Sequence, residues 1–369
     1  MPRLQALAPN FILPRKLAGF LFRKLGALSG RLWPLEPTLE AMAARPYELH
    51  LELTNACNAN CIFCPYQFQQ RRLESMSWVV LRKAVDDFIQ SGGGSVGLTP
   101  IVGEALVHDD FTAIVRWLRS HQAIDRIWLT TNAILLDKHG VDAVLRSGLT
   151  SITVSTAGFD EASYRRIYRS SAYRRMQQNV LDLVQQNRRL GRPVEITIAI
   201  RTDRSLAEVM RDVDFQPILA EGPALDFTWS FTTAGGRIKR EMLLPSMRLR
   251  TVAVGKEPCV QLFNGPIVLP DGTVMACACV AAMDAVADLA IGNVMNEDLV
   301  AVFSGQPMTR IREGFKDGPL NPTCAACDMY GNLDLYRTRE GRERARVSRA
   351  RSRGEVVKRG RPKGAFAGG

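Results

Sequence analysis

The chain has 369 residues, 46% of them hydrophobic, with ordinary glycine and proline content; that is enough for one large domain plus a smaller one, and it excludes a fibrous or wholly disordered protein. The formal net charge is +11, but residues 337–369 hold twelve Lys/Arg against three Asp/Glu, so the other 336 residues carry only about +2 and the body is not built around a polyanion. No apolar run of about 18 residues marks a membrane span, and Arg15, Lys16, Arg23, Lys24 and Arg31 interrupt every apolar stretch of the N-terminus, which therefore does not read as a signal peptide.

Residues 1–46 read as an amphipathic extension, with Phe11, Ile12, Leu13, Leu17, Phe20, Leu21, Leu25, Leu28 and Leu32 at helical spacing. Such a helix packs on the main domain or, as the alternative, touches an anionic membrane surface peripherally. Over residues 47–233 short strand-like runs alternate with helical ones. The strands are expected at Glu48–Thr54, Ser95–Pro100, Arg126–Thr131, Ser151–Thr156, Val194–Arg201 and Leu225–Phe231. Helices are expected at Trp78–Ser91, Asp109–Ser120, Leu136–Ser147, Ala172–Leu190 and Ser205–Ala220. Repeated β-then-α order implies an α/β fold with parallel strands, here a partial (β/α)6 barrel, whose chemistry sits at the C-terminal ends of the strands.

Residues 234–332 read as a smaller unit. Ile267–Leu269 and Thr273–Ala276 flank Pro270-Asp271-Gly272, a hairpin signal, and a short helix is expected at Asp298–Phe303. Residues 333–369 form a basic tail rich in Arg, Ser and Gly, expected to be disordered.

The eight cysteines stand at 57, 61, 64, 259, 277, 279, 324 and 327. Their clustering, without a signal peptide, points to thiolate–metal ligation in a reducing, cytoplasmic compartment. Cys57, Cys61 and Cys64 form a C-x3-C-x2-C run directly after the first expected strand, with Phe63 before the third cysteine. Three thiolates on one loop suit a [4Fe–4S] cluster with one iron left open, whereas a closed zinc site wants four ligands.

This motif, in this place, resembles that of the radical S-adenosylmethionine (SAM) superfamily. The resemblance implies that SAM chelates the open iron and is cleaved there to a 5′-deoxyadenosyl radical, the electron coming from a donor such as flavodoxin or ferredoxin. It implies further cofactor contacts: Phe63 in the motif, and Gly103-Glu104, which look like the end of the family's Gly-Gly-Glu stretch, with Glu104 on the SAM amino group. Val102 and Ala105 depart from that pattern. Asn132, ending the third strand, matches a Thr-Asn-Gly position; Ser155 and Thr156 stand where relatives place a hydroxyl near the ribose or carboxylate; Arg201 stands where a basic residue meets the carboxylate.

Four thiolates of the second cluster could close a zinc or an iron–sulfur site on spacing alone. The hairpin, the Ile291-Gly292-Asn293-Val294 run and the terminal Cys324-x2-Cys327 look like the module called SPASM or, when shortened, twitch. That resemblance implies one auxiliary [4Fe–4S] cluster on Cys259, Cys277, Cys324 and Cys327, with Cys279 spare, acting as an electron acceptor in oxidation or epimerisation of a sugar-like or other small molecule. Modification of a ribosomally made peptide is the alternative. The basic loop Gly235-Gly236-Arg237, with Lys239 and Arg240, is a candidate substrate contact in which Arg237 anchors or deprotonates a hydroxyl. Lys358-Arg359-Gly360-Arg361-Pro362-Lys363-Gly364 resembles an AT-hook, which keeps an iron–sulfur or zinc nucleic-acid protein as a further alternative; the confinement of charge to the tail argues against it.

Overall fold

The computed structural model describes residues 35–99, 101–278, 286–316 and 318–337, together with 343, 345–347 and 350; the expected helix within residues 1–34, Cys279 and the AT-hook-like tail lie outside them. Strands β1 (Glu48–Leu51), β2 (Gly94–Gly97), β3 (Ile124–Thr131), β4 (Ser151–Thr156), β5 (Glu195–Arg201) and β6 (Ala224–Thr228) stand side by side in sequence order. Every neighbouring pair among them is parallel. That is the expected six-stranded partial barrel. Burial alternates strictly along β4, where Ile152, Val154 and Thr156 are buried against the helices while Ser151, Thr153 and Ser155 are half-buried on the other face.

Helices cover the outside. Helix α1 (Glu36–Ala44) buries Met42 and is followed by Arg45, whose guanidinium donates to the Gly93 carbonyl at 3.0 Å. Helices α2 (Trp78–Gln90) and α3 (Phe111–Ser120) follow β1 and β2, and α2 begins with the Ser77 hydroxyl accepting from Val80 N–H. Two expected helices are broken. The one over 136–147 becomes two short helices, Leu136–His139 and Val141–Leu145, because Gly140 between them adopts φ 76°. The one over 205–220 becomes Leu206–Val209, a 3-10 turn and Gln216–Ala220; Pro217 cannot continue a preceding helix and instead starts the last piece. A helix that the spacing did not predict, Glu161–Tyr168, is nucleated by Asp160, whose carboxylate accepts from Ser163 N–H at 2.8 Å. The helix Tyr173–Arg189 agrees with expectation.

The C-terminal hairpin extends the barrel sheet. β9 (Ile267–Val268) pairs in parallel with the free edge of β1, and β10 (Thr273–Met275) and β11 (Ala290–Asn293) continue antiparallel, giving a nine-stranded sheet. A separate parallel pair, β7 (Ser230–Phe231) with β8 (Arg248–Leu249), follows β6. The main core cluster takes in both the barrel and the C-terminal segment, from Leu49 and Ile152 to Val274, Leu299 and Phe303. No helix among the described residues is long and apolar enough to cross a membrane.

Candidate active site

The residues after β1 are tied down before they reach the first cysteine. Asn55 is fully buried; its amide donates to Arg72 O at 2.8 Å and accepts from Glu74 N–H at 2.9 Å, while the Thr54 hydroxyl donates to Glu74 O. Buried Glu52 holds Arg71 through two contacts of 2.7 and 2.9 Å. This lacing is not visible in the residue pattern, since an Asn and a Glu at such positions read as surface residues. The cysteine loop is fixed at its other end by Ile62 N–H donating to Ile167 O at 2.9 Å.

Cys57, Cys61 and Cys64 line one cavity of about 310 Å3, together with Phe63, Gly103, Glu104, Asn132, Ser155 and Arg201. Six strand-end and loop positions expected to meet a cofactor are thus brought together with the thiols. Thr156 is not among them: its hydroxyl is buried on the helix side of β4 and donates to Gly158 O at 3.2 Å, as the period-two alternation dictates once Ser155 faces inward. Arg237 does not line this cavity either; it borders an open surface depression with Gln67, Phe68, Gln69 and Gln70. The cavity has a wall that sequence reasoning missed: Ser230, Phe231, Thr232, Arg250 and Met329. Asp328 fastens that wall, since its carboxylate accepts from the Thr232 hydroxyl at 2.7 Å and from Thr233 N–H.

Glu104 is 2% exposed. One oxygen accepts from Thr131 Oγ1 at 2.8 Å and Leu106 N–H at 3.2 Å, and the other accepts from Asn132 N–H at 2.7 Å. A carboxylate offers about four acceptor sites, so roughly one remains. Burial raises its pKa above the ordinary carboxylate value, and it has no cationic side chain as partner among the described residues. Asn132 links it to the cysteine loop by donating from Nδ2 to Asn58 Oδ1 at 2.7 Å, with Cys57 Sγ at 4.0 Å. On the opposite side Arg201 donates from Nε to Ser155 Oγ at 2.8 Å, and Ser155 pairs with Tyr168 OH. The Arg201 guanidinium lies 5.8 Å from the Phe63 ring centroid, and Phe63 stacks on Phe231. No carboxylate pairs with Arg201 among the described residues.

The donor chemistry fits a cationic iron–sulfur group. Burial and the neighbouring Glu104 carboxylate push the Cys57 thiol up to about 12, and burial with the other two sulfurs raises Cys61 well above its ordinary value. Left alone, such thiols stay protonated; bound irons supply the compensating charge. Tyr66 N–H already points at Cys64 Sγ, at 3.5 Å. The second set behaves alike. Cys259 Sγ accepts from Gly331 N–H at 3.4 Å and Cys327 Sγ from Met329 N–H at 3.3 Å. Cys277, Cys324 and Cys327 pack on one small apolar cluster of Ile267, Leu269, Met275 and Leu289. Burial, then the charges of Cys327 and Cys259, push Cys324 up to about 12. Among the described residues no three Cys, His, Asp or Glu side chains converge on a single metal-ion position; the ligands of a cluster stand on separate irons and need no such convergence.

The Radical SAM superfamily model matches residues 51–215, and the SPASM model, an iron-sulfur cluster-binding domain, matches residues 259–328, together more than half of the chain. GTP 3',8-cyclase of Pasteurella multocida is 32% identical over 135 residues, 36% of this chain and 39% of that protein. The corresponding protein of Chlorobaculum tepidum is 26% identical over 125 residues, 34% of this chain and 37% of that protein. The chain thus matches well under half the length of these relatives. Among solved structures, Streptococcus suis SuiB bound to precursor peptide SuiA has a TM-score of 0.55 at 13% identity, covering 80% of this chain and 74% of that one. Native anSMEcpe with bound AdoMet and a Cp18Cys peptide has a TM-score of 0.52 at 15% identity, covering 84% and 98%. At these identities the likeness is one of fold.

Proposed function

We propose, for a chain that belongs to the radical SAM superfamily and carries a SPASM iron–sulfur cluster-binding domain, that it oxidises a sugar-like or other small molecule, with one auxiliary [4Fe–4S] cluster on Cys259, Cys277, Cys324 and Cys327 as acceptor of the electron left on the substrate radical, or epimerises it with no net electron transfer. The family works with SAM and a [4Fe–4S] cluster, and the SPASM domain with auxiliary iron–sulfur clusters. Cys57, Cys61 and Cys64 would hold the cluster with one iron open to SAM, and the pair would supply one-electron reductive cleavage of SAM for hydrogen abstraction from the substrate.

The observation that carries the reading is a pair of charges facing one cavity with the three thiols, Glu104 without a cation and Arg201 without an anion among the described residues. A zwitterionic amino-acid head group answers both, its ammonium at Glu104 and its carboxylate at Arg201. Thr131 and Asn132 hold the Glu104 carboxylate in place, and Ser155 with Tyr168 orients Arg201. Phe63 and Phe231 give the cavity an apolar side that keeps water from a reactive carbon.

A peptide substrate is the second reading, supported by SuiB and anSMEcpe each being solved with a peptide bound. An acidic electron carrier such as flavodoxin or ferredoxin is the expected donor partner. The test is SAM cleavage under dithionite by anaerobically reconstituted protein. Wild type is expected to release 5′-deoxyadenosine, and the combined Cys57→Ala, Cys61→Ala and Cys64→Ala protein is expected to release none; release by that variant overturns the proposal.

A further inference from the structure

The cavity is lined by a second arginine besides Arg201. Arg250 follows β8, and its backbone N–H donates to Phe231 O at 2.7 Å, which fixes it against β7. Its Nε donates to Ser230 O at 3.3 Å. That contact occupies one of five guanidinium donors and leaves the terminal nitrogens without a carboxylate among the described residues. The side chain is half-buried and lines the same cavity as the three cysteines. The wall it stands on is held from behind by Asp328, one residue past Cys327, through Thr232 and Thr233. Met329 borders the same cavity, so the C-terminal segment closes this side of it.

One amino-acid head group brings one carboxylate, and Arg201 with Ser155 takes it. A second guanidinium lining the cavity, with no carboxylate on its terminal nitrogens among the described residues, is placed to take an anion of the substrate. We infer that Arg250 is a specificity-determining residue that binds an anionic group of the substrate, a carboxylate or a phosphate, and so holds the reacting carbon between the first thiol cluster and the C-terminal wall. This inference rests on the proposed function, and it concerns a residue inside the cavity, whereas Arg237, expected to anchor or deprotonate a hydroxyl, borders the open depression.

The test uses SAM-loaded holoenzyme with two probes, pyrophosphate for phosphate and malonate for carboxylate. Phenylglyoxal modification of Arg250 is followed by peptide mass mapping. At least one probe is expected to slow modification of Arg250 by roughly 10-fold or more, as losing hydrogen bonds to a charged partner would imply; which probe protects identifies the anion. Arg250→Gln is expected to weaken binding of that probe by a similar factor, Arg250→Lys by less, with the cluster's electron paramagnetic resonance (EPR) response to SAM unchanged. Equal modification with and without both probes overturns the inference, and this arm needs no variant to fold. Loss of the SAM response in Arg250→Gln also overturns it, by assigning Arg250 to SAM. A protein whose EPR answers SAM while Arg250 ignores both anions leaves the proposed function standing.

Discussion

Replacing Gly103 by alanine is expected to damage the SAM end of the cavity more than its size suggests. Gly103 adopts φ 87°, and an added Cβ would lie 2.1 Å from Thr54 O and 3.1 Å from Asn55 Cα. Both neighbours are backbone, so no side chain can swing aside. The Thr54–Asn55 segment cannot yield either, since it is bonded to Arg72 and Glu74. An L-residue in this region costs about 1–2 kcal/mol, and forced overpacking adds about 1–3 kcal/mol. The sum, roughly 2–5 kcal/mol, corresponds to a Tm lower by at least about 4 °C. The strain is relieved by moving residues 101–104, which draws the Glu104 carboxylate off Asn132 N–H and Thr131. SAM affinity, read by EPR titration of the reduced cluster, should fall by about 10-fold or more, while iron bound at the three cysteines is retained. A Gly103→Ala protein with wild-type Tm and wild-type SAM affinity would refute the reasoning.

Arg71→Met is expected to destabilise the protein by about 3–5 kcal/mol, because it strands the buried Glu52 carboxylate; the double variant with Glu52→Leu should regain most of that in denaturant titrations, and an additive double variant contradicts it. Stability should fall as the medium is acidified from neutrality. Burial lowers the pKa of His50, against the opposing pull of Glu48, and of His139. The folded state therefore prefers neutral rings, so this stabilisation is whole above the unfolded value near 6.5 and is lost as pH falls through the lowered folded values. His139→Gln, which keeps a donor for Leu106 O, should flatten part of that dependence in urea melts; a slope parallel to wild type counts against it. Thr156→Val removes a bond to Gly158 O and a long contact to Met176 Sδ, both on the helix side of β4, so it should cost about 1 kcal/mol and leave SAM binding unchanged, and a weakened SAM response would return Thr156 to the site.

The parts of the fold that depend on local periodicity were legible. β4 and β5 and the helix Tyr173–Arg189 lie within a residue or so of their expected ends. The breaks were harder, because the period of the apolar residues runs on through Gly140 and Pro217 while the backbone does not. That the thiols, Glu104, Asn132, Ser155 and Arg201 face one cavity was legible because each ends a strand, or lies in the loop after one, whose order was readable. Thr156 was adjacent in sequence and lost by the alternation of the strand. Arg250 and Asp328 were invisible for a different reason. They reach the cavity through a two-residue strand pair and one long-range carboxylate contact, and neither leaves a periodic trace. Arg237 borders an open depression rather than the cysteine-lined cavity, since a run of basic residues marks charge but not where the chain folds it.

The most direct test of the central claim is iron and sulfide content with low-temperature EPR on anaerobically purified, dithionite-reduced protein, with and without SAM. The account predicts about eight irons per chain, as two [4Fe–4S] clusters require, with one reduced-cluster signal shifted by SAM and a second that does not respond. No iron after reconstitution, or no signal that answers SAM, would contradict it.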